Sequence, residues 1–211
     1  DICTDNKNIC VSNCVLWCDW GRCCEIGLET ACRTYSNISF VNCDILRGGK
    51  AVLDIQNGDC ADIYDIVFEN INVEYNSFDT VEQYQESDEI KYEKADSIQI
   101  PVLINIDNFS FRSEENERLW KIPRKGDYGK INAVGKHGAV HGIVYRNINV
   151  FYNEGLPLND GKPIILINFA SDYDNYVYDD IEVSDIVVNG VHLKRDNAVI
   201  KKCDVKKLMF N

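Results

Sequence analysis

One phrase recurs along the chain: Ile-x-Val/Phe-x-Asn-Cys/Ile-x-Val/Ile. Its copies are Ile9-Val11-Asn13-Cys14-Leu16, Ile38-Phe40-Asn42-Cys43-Ile45, Ile66-Phe68-Asn70-Ile71-Val73, Ile143-Tyr145-Asn147-Ile148-Val150 and Ile181-Val183-Asp185-Ile186-Val188. Repeated units of this kind bury their apolar faces against their neighbours, so five copies imply five turns of one winding. Within a copy, apolar residues alternate, then shift phase by one after the Asn. Alternation marks strands and the shift marks a bend between two of them. Asn suits the bend because it tolerates left-handed backbone. Asn residues stacked in successive turns would also pair their amides.

A further apolar segment lies between copies: Cys23 to Gly27, Ala51 to Ile55, Val102 to Ile106 and Ile164 to Phe169. It supplies a third strand per turn. The first copies repeat every 28 residues or so, with no helical periodicity. The expectation is an all-β fold, a right-handed single-stranded parallel β-helix of about five coils, forming one domain over residues 1–211. Two stretches break the rhythm: an acidic, Tyr-rich segment at 76–100 and a charged one at 109–138 around Trp120. They read as inserted loops walling one side of the solenoid. Residues 201–211, with Val205, Leu208 and Phe210, read as a cap on the last coil.

The formal net charge of −12 argues against nucleic acid, whose phosphates need clustered Lys and Arg. Lys121, Arg124, Lys125, Lys130 and Lys136 read as a solvated basic loop. No apolar run is long enough to span a membrane as a helix, and no signal peptide is recognisable. Nine of the ten cysteines fall within the first sixty residues. Without paired Cys-x-x-Cys motifs they do not read as a zinc site. Cys14 and Cys43 occupy repeat positions later filled by Ile71, Ile148 and Ile186, so they read as buried, reduced thiols acting as small hydrophobes. Reduced thiols favour an intracellular or anaerobic setting; the compartment, cytoplasmic or secreted, stays open. His137, His141 and His192 read as surface histidines, and neither a metal nor a cofactor is expected.

The segment Asn8 to Cys14, followed by Trp20-Gly21-Arg22-Cys23-Cys24-Glu25-Ile26-Gly27, resembles coils of the pectin-lyase-like superfamily. It is similar to glycoside hydrolase family 28, the polygalacturonases and their relatives, where the corresponding strand reads Gly-His-Gly-Leu-Ser-Ile-Gly. Ala51-Val52-Leu53-Asp54-Ile55-Gln56 falls where that family carries Gly-Leu-Arg-Ile-Lys. The resemblance implies an oligo- or polysaccharide partner and hydrolysis of an O-glycosidic bond. It also implies departures. Arg22 stands in place of the family His. Asp54 and Gln56 stand in place of the Arg and Lys that hold a uronate carboxylate, so the expected substrate is not a galacturonate. The family's paired Asp residues would lie upstream of Asp1. The chain therefore reads as a C-terminal portion, with an open N-terminal coil that invites self-association.

In such a winding, equivalent residues of successive coils stack at about 4.8 Å. Aligning the third strands on their alternation turns Cys24, Ile26, Leu53 and Ile55 inward. Glu25 then lies over Asp54, and the column continues through Asn105 and Asn168. Adjacent carboxylates do not both ionise freely, which suits an acid and base pair. Glu25 and Asp54 are the catalytic candidates, with Arg22 and Asp19 orienting them. Trp17, Trp20, Gln56, Asn105, Asn168, Glu29 and Asp59 are candidates for sugar contacts. Blander readings stand beside these. Glu25 could be neutralised by Arg22 as a ladder contact, or a cation could lie between Glu25 and Asp54. Trp17 could pack on the solenoid, Asp19 could pair with Arg22, and Gly58-Asp59 could be a plain turn. The alternative to an enzyme is a carbohydrate-binding or structural β-helix fragment.

Overall fold

The computed structural model describes residues 5–18, 21–48, 51–75, 102–109, 136–153, 166–201 and 204–210, with four two-residue strands besides. Its strands are β1 (Asn6–Ser12), β2 (Val15–Trp17), β3 (Arg22–Leu28), β4 (Thr34–Arg47), β5 (Ala51–Asn57), β6 (Asp62–Tyr75), β7 (Gln83–Tyr84), β8 (Glu93–Lys94) and β9 (Val102–Asn108). They continue with β10 (Ala139–Tyr152), β11 (Leu158–Asn159), β12 (Lys162–Pro163), β13 (Leu166–Ser171), β14 (Val177–Val188), β15 (Val191–His192), β16 (Val199–Lys201), β17 (Asp204–Val205) and β18 (Leu208–Phe210). Among the described residues no helix is long and apolar enough to cross a membrane.

The architecture is all-β and built on parallel pairing. One large sheet runs β1-β4-β6-β10-β14-β15, with β2 beside β4 and β17 and β18 beside β14; a second runs β16-β13-β9-β5-β3, and β7-β8 and β11-β12 form two small antiparallel pairs. The chain alternates between the first two, so each repeat adds one parallel strand to each sheet. The in-register partners are the repeat positions themselves: Ile38 with Ile66, Ile66 with Ile143, and Ile143 with Ile181. The third strands pair as their alternation requires, Cys24 with Leu53 and Leu53 with Ile104. Most of the insertions at 76–100 and 109–138 lie outside the described residues. The segment read as a cap adds a further parallel strand, with Leu208 beside Ile181 and Phe210 beside Val183.

The bend at the repeat Asn is real. Asn13, Asn42, Asn70, Asn147 and Asp185 all hold φ between 52 and 55°, the left-handed region that a short polar side chain tolerates best. Their amides pair: Asn70 donates to Asn42 Oδ1 at 3.0 Å, and Asn147 donates to Asn70 Oδ1 at 2.5 Å. A second column of corners was not anticipated. Asn8, Asn37, Asp65, Gly142 and Asp180, five residues before each repeat Asn, also hold positive φ, between 53 and 62°. Each long strand of the first sheet therefore turns twice.

The interior lies between the sheets. The rings of Phe40, Phe68 and Tyr145 lie nearly parallel with centroids 5.3 and 4.9 Å apart, and parallel-offset pairs at such spacings add about 0.5–1.5 kcal/mol each beyond burial. Cys24 and Cys43 are buried as expected of small hydrophobes. Burial, helped by neighbouring Cys43, Cys18 and Cys14, pushes the Cys24 thiol up to about 12. Cys14 departs from that reading and is only half-buried, donating to Ser12 O at 3.3 Å. It belongs to the outermost described repeat, where Ile9, Val15 and Trp17 are also exposed.

Candidate active site

The second sheet brings the column together. Glu25, Asp54, Asn105 and Asn168 are in-register partners on β3, β5, β9 and β13. Strict alternation explains this: Cys24, Leu53, Ile104 and Ile167 are fully buried in the core one position earlier, so the next residue of each strand must face the other way. The two carboxylates, however, sit in unlike surroundings. Glu25 is exposed, whereas Asp54, expected on an open face, is fully buried.

A line of hydrogen bonds converges on Asp54. Arg22 Nη1 donates to Asp54 Oδ2 at 2.9 Å, and Asn105 Nδ2 donates to Asp54 Oδ1 at 2.5 Å. Asn168 Nδ2 donates in turn to Asn105 Oδ1 at 2.7 Å. The Gln56 amide, turned so that its oxygen faces the guanidinium, accepts from Arg22 Nη1 at 2.6 Å and Nη2 at 2.7 Å. Arg22 is thus engaged by Asp54 and Gln56; the ladder pairing of Arg22 with Glu25 is not what forms.

Asp54 is pushed up from the ordinary 3.8 to about 6. Burial is the largest cause. The Arg22 charge and the hydrogen bonds from Asn105 and Arg22 pull the other way, and Glu25 adds the smallest upward push. Like-charge repulsion was the expected cause; desolvation outweighs it because Glu25 is screened by solvent while Asp54 is not. Asp107, in register with Gln56, is also raised. Burial is again the main cause, with Asp172 adding and Arg22 opposing.

The remaining candidates scatter. Asp59 is buried and ties two repeats: its Oδ2 accepts from Thr30 N at 2.8 Å, while its own N–H donates to Thr30 Oγ1 at 3.0 Å. It is a corner residue, closer to the plain-turn reading than to a sugar contact. Glu29 accepts through its backbone carbonyl from Tyr35 Oη at 3.4 Å. Trp17 is exposed, with the Arg47 guanidinium 6.0 Å from its ring centroid. Asp19 and Trp20 lie outside the described residues.

Two features escaped the sequence reading. One is Gln56 as a partner of Arg22, although both flank Asp54. The other is His141, read as a surface residue: its Nε2 lies 2.9 Å from Asp62 Oδ1, and its ring stacks on Tyr64 at 5.5 Å. The signal was available, since Tyr64 and His141 occupy equivalent places just before the phrase and Asp62 lies two residues before Tyr64 on the same strand. Among the described residues no group of His, Cys, Asp and Glu is arranged to hold a metal ion. No protein family, no curated protein and no solved structure matches this chain.

Proposed function

We propose that the chain is a carbohydrate-active right-handed parallel β-helix of about five coils, similar to glycoside hydrolase family 28. In this reading it hydrolyses an O-glycosidic bond in a saccharide other than a galacturonate. The observation that carries the reading is the in-register pair Glu25 and Asp54, one carboxylate exposed and the other buried and raised to about 6. Unlike environments for two neighbouring carboxyls are what separates an acid from a base. Adjacent strands hold them at about 4.8 Å, so the exposed Glu25 is the carboxyl a substrate can meet and the sealed Asp54 lies beside it as a charge that sets its surroundings. Arg22 and Gln56 occupy each other, so a uronate carboxylate has no ready cation there.

A second reading has its own support. The Arg22–Asp54–Asn105–Asn168 line satisfies itself without a ligand, as a structural ladder in a binding or scaffolding solenoid would. Two variants separate the readings. Glu25→Gln and Asp54→Asn, assayed against neutral oligosaccharides by product chromatography, should each abolish hydrolysis while leaving binding intact. Wild-type protein that binds sugars but releases no product between about pH 4 and 8 would leave the binding module standing.

A further inference from the structure

A groove of about 460 Å³ opens on the first sheet, lined by His141, Tyr176, Val177, Asp179, Asp180 and Lys207, among others. That volume lies within the range of small-molecule sites, roughly 300–1,000 Å³. We propose that it is a second saccharide-binding site, separate from the Asp54 column and taking a neutral sugar unit. The inference rests on the carbohydrate reading above.

The lining is preorganised. Asp62 is acceptor-only when ionised, so the Nε2 atom of His141 carries the proton and donates to it at 2.9 Å. In the neutral imidazole this leaves Nδ1 as an acceptor. The stack on Tyr64, 7° from parallel, fixes the ring plane. Tyr176 is held at the other wall: its hydroxyl donates to Gly138 O at 3.3 Å and accepts from Val140 N at 3.2 Å.

The charges then select the ligand. Asp179 is in register with His141. Its Oδ2 meets Lys206 Nζ at 3.3 Å, while its Oδ1 is buried without a hydrogen-bond partner among the described residues. Asp180 adds a second carboxylate and Lys207 an ammonium. The groove therefore offers carboxylate acceptors at Asp180 and at the Oδ2 of Asp179, a donor at Lys207, and apolar surface at Val177 and Tyr176. A neutral sugar matches this mixture, with hydroxyls that donate and accept and a C–H face for the apolar wall. A uronate or phosphate would bring its negative charge against Asp179 and Asp180.

The test uses the full chain and calorimetric titration with cellotetraose, maltotetraose, mannotetraose and tetragalacturonate. Val177→Arg fills the groove from an exposed position. Asp180→Asn keeps a residue that tolerates its left-handed backbone. At least one neutral tetramer should bind, and both variants should weaken it about tenfold or more, a loss of at least about 1.4 kcal/mol. Asp54→Asn should leave this binding within about twofold. Tetragalacturonate binding more tightly than every neutral tetramer, or no tetramer binding at all, would overturn the proposal. So would Val177→Arg and Asp180→Asn binding like wild type. If Asp54→Asn and Glu25→Gln lose hydrolysis but keep binding while the groove variants bind like wild type, the groove fails and the column reading survives. Hydrolysis lost in no column variant, with binding lost in the groove variants, is the reverse result: it upholds the groove and removes the column.

Discussion

Asp54→Asn should change how stability depends on pH, with a sign set by the competition between burial and hydrogen bonding. Folding raises the Asp54 pKa from 3.8 to about 6. Between those values the folded protein holds a proton that the unfolded chain has released. Stability must then fall as pH rises through that window and level off above it. A gap of about two pH units at roughly 1.36 kcal/mol each amounts to about 3 kcal/mol. Asn at this position resembles the protonated acid at every pH. It places an amide N–H toward Arg22, but that cost does not vary with pH. The difference between the two proteins isolates the carboxyl, because Asp107 and the exposed acids titrate in both. Wild type should lose about 3 kcal/mol relative to Asp54→Asn between about pH 3 and about pH 7.5. For a chain of this size that is roughly 6–12 °C in melting temperature. Far-UV circular dichroism melts across the range would measure it. A flat difference curve would refute the reasoning. A wild type that gains on the variant as pH rises would show that Arg22 and Asn105 outweigh burial.

Two further perturbations probe the winding. Gly138→Ala should be destabilising by about 1–3 kcal/mol or more, because a Cβ there would lie 1.7 Å from Ala61 O and 2.6 Å from Asn57 Nδ2; an unchanged urea midpoint would contradict this. Asn70→Ala loses a left-handed-tolerant residue and both ladder bonds, to Asn42 and from Asn147, at about 2–3 kcal/mol together. Asn70→Gly keeps the backbone conformation and should cost clearly less; equal urea midpoints for the two variants would mean the corner carries no strain.

The parallel sheets were legible because the phrase encodes two things at once. Its alternation fixes which residues face the core, and its Asn fixes where the chain turns. Alternation also placed Glu25, Asp54, Asn105 and Asn168 in one column, since inward Cys24, Leu53, Ile104 and Ile167 leave no other register. What alternation does not carry is cover. Ala51–Asn57 is buried on both faces, and nothing in a period of two distinguishes a strand with one buried face from a strand with two. The sealing of Asp54 was therefore invisible, and with it the choice of Arg22 as its partner. The second corner column was missed for a different reason. Its residues vary among Asn, Asp and Gly, united by tolerance of positive φ rather than by a shared side chain.

That burial sharpens what the column could do. A carboxyl sealed from solvent and bonded at both oxygens does not exchange protons directly with a bound sugar. Glu25, one strand away and exposed, is the group within reach of a ligand. Within the proposed function the two residues therefore divide the work by exposure as well as by pKa. Glu25 meets the substrate, and the charge state of Asp54 sets the field around it. Above about pH 6 Asp54 is ionised and below it neutral, so the charge beside the exposed strand position changes there. The Arg22 guanidinium moderates the effect by neutralising Asp54 at 2.9 Å. Removing Arg22 would leave a buried carboxylate with one fewer donor and raise it further, which makes the arginine the tuning element of the pair rather than a sugar ligand.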